Sequence, residues 1–120
     1  LNPDHNNVAQ FVFACSIQAN SNGYRLEGTK TTKQMRLFGF EPHQTELSKY
    51  VPGTLIDISE VYDQKVAAMQ CFKAQKHLIN YYTERAHLRG NHLRRISGNN
   101  SYQYGESFSN FFPVAGDELV

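Results

Sequence analysis

The residues that could carry chemistry begin with a short segment near the start of the chain, Asn2 to His5, which reads Asn-Pro-Asp-His. Histidine and carboxylate side chains are usual ligands of catalytic zinc, which keeps one coordination position open for water. His5, in the first turn of a predicted helix, could point into a cleft and bind a metal, but one histidine cannot complete a site. The alternative is structural: Asn2 caps the helix, and the positive end of the helix dipole favours Asp4.

Three further polar residues lie in predicted loops where they could face a ligand. His43 and Glu46 belong to a connection bounded by prolines, and Glu106 lies within the segment Tyr-Gly-Glu-Ser-Phe. Loop carboxylates cap helices, pair with arginines or face a substrate, and residue type alone does not choose among these roles. From the residues alone, a structural role and a substrate-facing role both stay open for them.

The remaining polar patterns exclude several kinds of site. His87 and His92 are five residues apart, and this spacing does not place two rings on one face of a helix. The sequence contains no His-Glu-x-x-His element, no phosphate-binding glycine loop and no nucleophile elbow. The basic segment 85–95 has no interleaved aromatic residues, and the net charge is only +1, so nothing indicates a nucleic-acid partner.

Several predicted elements must position these residues. Apolar residues recur at helical spacing from Val8 to Ala19, which predicts a first helix that ends at the turn cluster 20–23. The other predicted elements follow in chain order: a strand over 34–41 with room for a bulge at Gly39, a strand over 54–59, two long helices divided near 74–77, and a closing packed segment or edge strand over 108–114.

The order of elements indicates the fold class. Helices that follow strands are typical of α/β layering. Two or three strands make a thin sheet, and such a sheet normally needs further strands as partners. The pattern therefore predicts an incomplete α/β domain, with a small stand-alone α+β domain as the alternative. No apolar run in the sequence is long enough to cross a bilayer.

A set of short motifs stands in a defined order along the chain. Its members are Pro3-Asp4-His5, Asp57-Ile58-Ser59, Lys65, Ala68, Gln75, Glu106 and Phe108. In this order they resemble the LmbE-like (PIG-L) deacetylase family, which shows a His-Pro-Asp-His element at a helix start, an Asp-Ile-Ser strand end, a helix with spaced Lys, Ala and Gln, and a late Glu-x-Phe.

The resemblance implies a zinc-dependent N-deacetylase that acts on an N-acetylated sugar or glycoconjugate, built on a Rossmann-like three-layer α/β sandwich. His5 would bind the zinc ion, and Asp4 would orient that ligand. Asn2 stands where the family has histidine; it could polarise an oxyanion as a neutral hydrogen-bond donor but could not act as a titrating acid. The loops around His43, Glu46 and Glu106 would shape the sugar pocket.

The resemblance also implies that residues 1–120 are the C-terminal portion of one domain, whose N-terminal metal-binding half is absent from this chain. One zinc ligand of three and no general base would then be present, so we expect the 120 residues alone to be inactive. The alternative is a degenerate, non-catalytic sugar-binding or assembly module of the same fold. We further expect a cytoplasmic location and no membrane span, and leave open a homo-oligomer.

Overall fold

A computed structural model describes residues 3–33 and 35–112. The chain divides into two compact units, Leu1–Phe38 with Phe111–Val120, and Gly39–Asn110. The division falls within the first strand, and each unit is described by itself.

The first unit is built around helix α1, Pro3–Gln18. Proline suits the first helical position because it lacks the N–H that would stay unpaired there, and Asp4 lies in the first turn, where the dipole favours a negative charge. Phe13 packs against Phe111 and Phe112, with ring centroids 6.0 and 5.8 Å apart. The predicted helix is confirmed, but none of its described residues is buried, and Phe11 is 70% exposed.

The second unit contains a three-stranded sheet with strand order β1-β3-β2. The strands are β1, Phe38–Phe40, β2, Thr54–Asp57, and β3, Gly105–Asn110. β2 and β3 pair antiparallel, with Leu55 opposite Ser107 and Asp57 opposite Gly105. The predicted strand over 34–41 is therefore only three residues long, and β2 ends before a 3₁₀ turn, Ser59–Val61.

The last strand corrects the prediction for 108–114. β3 starts earlier, at Gly105, and it lies in the middle of the sheet rather than at its edge. Gly105 and Ser107 are both buried, and their small size leaves room for a helix to pack on this strand. Residues 113 and 114 lie outside the described part of the chain.

Two helices follow β2, as predicted: α2, Tyr62–Gln70, and α3, Leu78–Ser97. The predicted break falls between them, where a short 3₁₀ turn, Lys73–Gln75, interrupts the helical path. α3 ends at Gly98, whose φ of 72° is left-handed and whose N–H donates to the Arg94 carbonyl at 2.9 Å. Glycine adopts this conformation without the cost that a side chain adds.

The small core of the second unit lies where α3 crosses β3. The buried residues of α3 are Ala86, Arg89, Gly90 and Leu93, which recur at the spacing of one helix face. A Cβ added at Gly105 would lie 2.7 Å from Leu93 Cδ1 and 2.9 Å from the Arg89 carbonyl carbon. Helix and strand therefore approach at backbone distance, and this contact fixes α3 over the sheet.

The mixture of helices and sheet confirms the predicted α/β class in its coarse form. In the described residues, no helix combines the length and apolar character needed to span a bilayer.

Candidate functional site

The second unit holds a cavity of about 350 Å³ between α2, α3 and the sheet. This volume falls at the lower end of the range of small-molecule sites, about 300–1,000 Å³. Its apolar wall includes Phe40, Pro42, Met69, Ala86 and Phe108, and its polar wall includes Glu41, Lys65, Tyr81, Arg85, Glu106 and Ser107. An apolar cavity with a few convergent charged groups can bind and orient a small polar molecule.

Glu41 is the most heavily hydrogen-bonded carboxylate of this wall. It directly follows β1 and accepts hydrogen bonds from Arg89 Nε at 2.8 Å, Arg89 Nη2 at 2.5 Å, Thr45 Oγ1 at 2.9 Å and the Ser107 hydroxyl. Burial by itself would raise its pKa, but the hydrogen bonds from Arg89, Ser107 and Thr45 outweigh this and lower the pKa of Glu41 to about 2. Glu41 is therefore ionised at neutral pH, and its hydrogen bonds tie the end of β1 to α3 and β3.

Arg85 projects from the same helix one turn before Arg89. Its Nη2 donates to Glu46 Oε1 at 2.7 Å and to the Tyr81 hydroxyl at 2.9 Å, and its Nε lies 3.5 Å from Glu41 Oε1. The guanidinium carbon also lies 5.2 Å from the Tyr81 ring centroid, within the range of a cation–π contact. The hydrogen bond from Arg85 lowers the pKa of Glu46. Arg85 is thus a fixed cation at the cavity wall.

Tyr81 links the predicted loop residues to this cation. The His43 ring packs on Tyr81 with centroids 4.8 Å apart, and the Gln44 N–H donates to the Tyr81 hydroxyl at 3.1 Å. Gln44 has a left-handed φ of 59° and leads into the 3₁₀ turn Thr45–Leu47, whose Glu46 pairs with Arg85. The structure therefore brings His43 and Glu46 together through one tyrosine and one arginine.

Glu106 also lines the cavity, and it lies on β3 rather than in the predicted loop. Its Oε1 accepts a hydrogen bond from Lys65 Nζ of α2 at 2.6 Å. Both side chains remain partly accessible, with 26% of Lys65 and 38% of Glu106 exposed. The pair could contact a ligand in the cavity without a change of fold.

The Asp57-Ile58-Ser59 motif has a structural part in this unit. Ser59 Oγ donates to Asp57 Oδ1 at 2.5 Å and accepts from the backbone N–H groups of Gln103 and Tyr104 at 2.8 and 3.1 Å. Ile58 is buried, and its N–H donates to the Tyr104 carbonyl at 3.1 Å. The motif therefore clamps the segment that leads into β3 and does not line the cavity.

The predicted residues near the start of the chain belong to the first unit. Asp4 and His5 are both exposed in the first turn of α1, while Asn2 lies outside the described residues. Within 3–33 and 35–112, no group of three His, Cys, Asp or Glu side chains could hold a metal ion. The described residues therefore do not assemble the ligand set that a zinc site requires.

Sequence reasoning missed Glu41, Arg85 and Arg89, the residues that organise the cavity wall. The segment 85–95 was considered as a possible nucleic-acid surface, although Arg89 is buried, with only 5% of the residue exposed. One signal was present: Arg85 and Arg89 are four residues apart and share a helix face with Ala86 and Leu93. A buried arginine needs an acidic partner, and no pattern in the sequence around Arg89 indicated that Glu41 is that partner.

Comparison with known proteins shows that the chain is similar to two proteins named as hydratases. No protein-family profile matches the chain. It is 36% identical over 122 residues to the 4-oxalmesaconate hydratase of Pseudomonas putida, covering 99% of this chain and 47% of that protein. It also superposes on the crystal structure of GalB, the 4-carboxy-2-hydroxymuconate hydratase of Pseudomonas putida KT2440, with a TM-score of 0.87 and 34% identity, covering 99% of this chain and 50% of the other. The chain thus spans about half the length of the relatives it matches.

These comparisons correct the expected activity. Both relatives are named hydratases, which add water to a double bond, whereas a deacetylase cleaves an amide. The LmbE-like (PIG-L) assignment, the N-deacetylase activity, the N-acetylated sugar partner and the sugar-binding alternative are therefore wrong. Short motifs on a common scaffold do not determine the reaction, because the chemistry depends on the residues of the site. The chain is similar to about half of each of two proteins named as hydratases.

Proposed function

We propose that the full-length protein is a hydratase that adds water to a carbon–carbon double bond of an unsaturated polycarboxylate of the carboxy-hydroxymuconate type. The observation that carries this proposal is the 36% identity to a hydratase across 99% of the chain. The matched structure supports it, because the fold agrees over the same length and that protein is also named a hydratase. The activity is proposed for the full-length protein, since the chain spans about half of each relative.

The cavity of the second unit supports a role in binding such a substrate. A carboxylated muconate carries several negative charges, and these need cations and hydrogen-bond donors on the protein. Arg85 and Lys65 both line the cavity, and the aromatic and aliphatic wall suits the flat carbon chain of a conjugated substrate. We keep His43, Glu46 and Glu106 as proposed substrate-site residues, with His43 acting through Tyr81 at the rim.

We do not propose Glu41 as the base that activates water. A general base works best when its pKa lies near the operating pH, and the pKa of Glu41 is about 2. Its oxygens are also engaged by Arg89, Thr45 and Ser107. Its part in the proposed function is to hold Arg85 and Arg89 in place.

A zinc ion bound by His5, with Asp4 and Asn2 as catalytic neighbours, stays a separate proposal. The described residues do not fit a complete site, so the other ligands would have to come from elsewhere in the full-length protein. Metal analysis of the purified full-length protein and of its His5→Ala variant tests this. The full-length protein should contain bound zinc, and the His5→Ala variant should have lost it. Equal metal content in the two proteins would contradict the proposal.

The finer features of the predicted fold are proposals as well. We propose that the sheet continues into a Rossmann-like three-layer sandwich, of which residues 1–120 form the C-terminal portion; the match to half of a chain about twice as long supports a larger whole protein. We also propose a cytoplasmic location, supported by the two free cysteines, Cys15 and Cys71, because unpaired thiols are typical of a reducing compartment.

The proposed activity is tested by incubating the full-length protein with 4-carboxy-2-hydroxymuconate and following the loss of its conjugated absorbance. Hydration removes a double bond, so the absorbance should fall and the product should be heavier by one water. Buffer alone and heat-inactivated protein are the controls. An unchanged substrate, with folded protein confirmed by circular dichroism, would overturn the proposal.

A further inference from the structure

The ion pair between Arg85 and Glu46 joins two side chains with very different surroundings. The Arg85 side chain is 16% exposed and lines the cavity, whereas the Glu46 side chain is 67% exposed and is absent from the cavity lining. The pair is therefore anchored at one end only. Exposed carboxylates regain water easily when an ion pair opens, so an ion pair of this kind is weak.

The guanidinium does not depend on Glu46 for its position. The Tyr81 hydroxyl accepts from Nη2 at 2.9 Å, the Tyr81 ring lies 5.2 Å from the guanidinium carbon, and Glu41 lies 3.5 Å from Nε. These three contacts come from the helix that carries Arg85 and from the end of β1. Arg85 would therefore keep its orientation if Glu46 moved away.

The other charged residues at the cavity are already paired, so the Arg85–Glu46 pair is the one that a ligand could open. Glu41 is matched by Arg89, whose Nη2 lies 2.5 Å from it, and Arg89 is itself only 5% exposed. Lys65 is matched by Glu106 at 2.6 Å, and both of those residues belong to the cavity wall. When Glu46 leaves, Arg85 gains an open Nη2 donor and the wall gains one positive charge.

We propose that Glu46 is a placeholder that a carboxylate of the substrate displaces from Arg85. The substrate carboxylate would enter the cavity and take the Nη2 hydrogen bond, while Glu46 turns into solvent on its short 3₁₀ turn, Thr45–Leu47. The exchange keeps the arginine paired in both states, so no buried charge is left uncompensated. This inference rests on the proposed function, because it assumes that the ligand is a polycarboxylate.

The test measures binding and does not require turnover. Tricarballylate, a saturated tricarboxylate that cannot be hydrated, is titrated calorimetrically into the full-length protein and three variants. Glu46→Gln removes the competing charge and should tighten binding about two- to fivefold, the range expected for loss of one exposed ion pair. Arg85→Lys should weaken binding at least tenfold, because lysine lacks the planar fork that binds a carboxylate.

Glu84→Gln is the matched control. Glu84 is exposed, it neighbours Arg85 on α3, and its substitution changes the net charge by the same amount. It should leave the affinity within twofold of the parent protein. If Glu46→Gln and Glu84→Gln change the affinity equally, the tighter binding comes from the lower negative charge of the protein alone. This result would overturn the proposal that Glu46 is a placeholder.

The remaining outcomes separate this inference from the proposed function. Weaker binding to Glu46→Gln, or no binding of tricarballylate to the parent protein, would also overturn the placeholder, even if carboxy-hydroxymuconate is hydrated. If Glu46→Gln alone tightens binding while no hydration occurs, the placeholder stands and the hydratase assignment fails. Thermal unfolding of each variant checks that Arg85→Lys remains folded.

Discussion

Replacing Gly90 by alanine should destabilise the protein, although alanine is the better helix former. In an open helix interior, this replacement would stabilise by about 1 kcal/mol. Gly90 is buried within α3, and a Cβ there would lie 2.1 Å from the Gln103 carbonyl oxygen, 2.5 Å from its carbon and 2.8 Å from the Tyr104 nitrogen. All three contacts are backbone atoms, so no side chain can rotate to make room.

The magnitude follows from what must move. Overpacking of a tight contact costs about 1–3 kcal/mol. Shifting the segment before β3 also stretches the two hydrogen bonds that Ser59 Oγ accepts from the Gln103 and Tyr104 N–H groups, each worth about 1 kcal/mol. Set against the gain in helix propensity, the net loss of unfolding free energy should be about 2–4 kcal/mol.

Urea unfolding of the full-length protein, followed by circular dichroism, measures this loss. The matched control is Gly23→Ala, because a Cβ there would meet only Ser21 Oγ, at 3.9 Å, and its stability should stay within about 0.5 kcal/mol of the parent protein. A Gly90→Ala variant as stable as the parent, or more stable, would refute the close approach of α3 to the segment before β3.

Two further predictions concern the polar contacts of the second unit. Ser59→Ala removes the acceptor shared by the Gln103 and Tyr104 N–H groups and should cost about 1–3 kcal/mol in urea unfolding; a change below about 0.5 kcal/mol would contradict the clamp. Glu41 has a folded pKa of about 2 against an ordinary 4.5, so its stabilisation is present above pH 4.5 and is lost as pH falls toward 2. The ionised Glu41 contributes at most about 3 kcal/mol to the free energy of unfolding. The Glu41→Gln variant should be less stable at pH 7, and its stability should fall less steeply as the pH is lowered. An unchanged acid dependence would count against the Glu41 network.

Local patterns in the sequence predicted the helices best. The apolar spacing and proline start of α1 gave its bounds to within a residue or two, and the break between α2 and α3 fell where the stripe was interrupted. The predictions of the strands were less accurate. β3 begins with Gly105, and glycine and serine at a central strand are explained only by the helix that packs on them.

The candidate site could be predicted only in part, because its pairs are distant in sequence. Glu46 and His43 were chosen as loop residues, and the structure places His43 on Tyr81 and Glu46 on Arg85, but the arginine was not expected. Glu41 and Arg89 are 48 residues apart, and neither residue indicates the other without the fold. The motifs that favoured a deacetylase include Asp57 and Ser59, which hold a backbone turn and therefore carry no information about the reaction.

The reaction of the full-length protein with 4-carboxy-2-hydroxymuconate in ¹⁸O-labelled water tests the proposed hydration directly. The product should gain one water, and its new hydroxyl should carry the label, at a rate proportional to protein concentration. If the full-length, folded protein leaves the substrate unchanged, or the product carries no label from solvent, the hydratase assignment is contradicted.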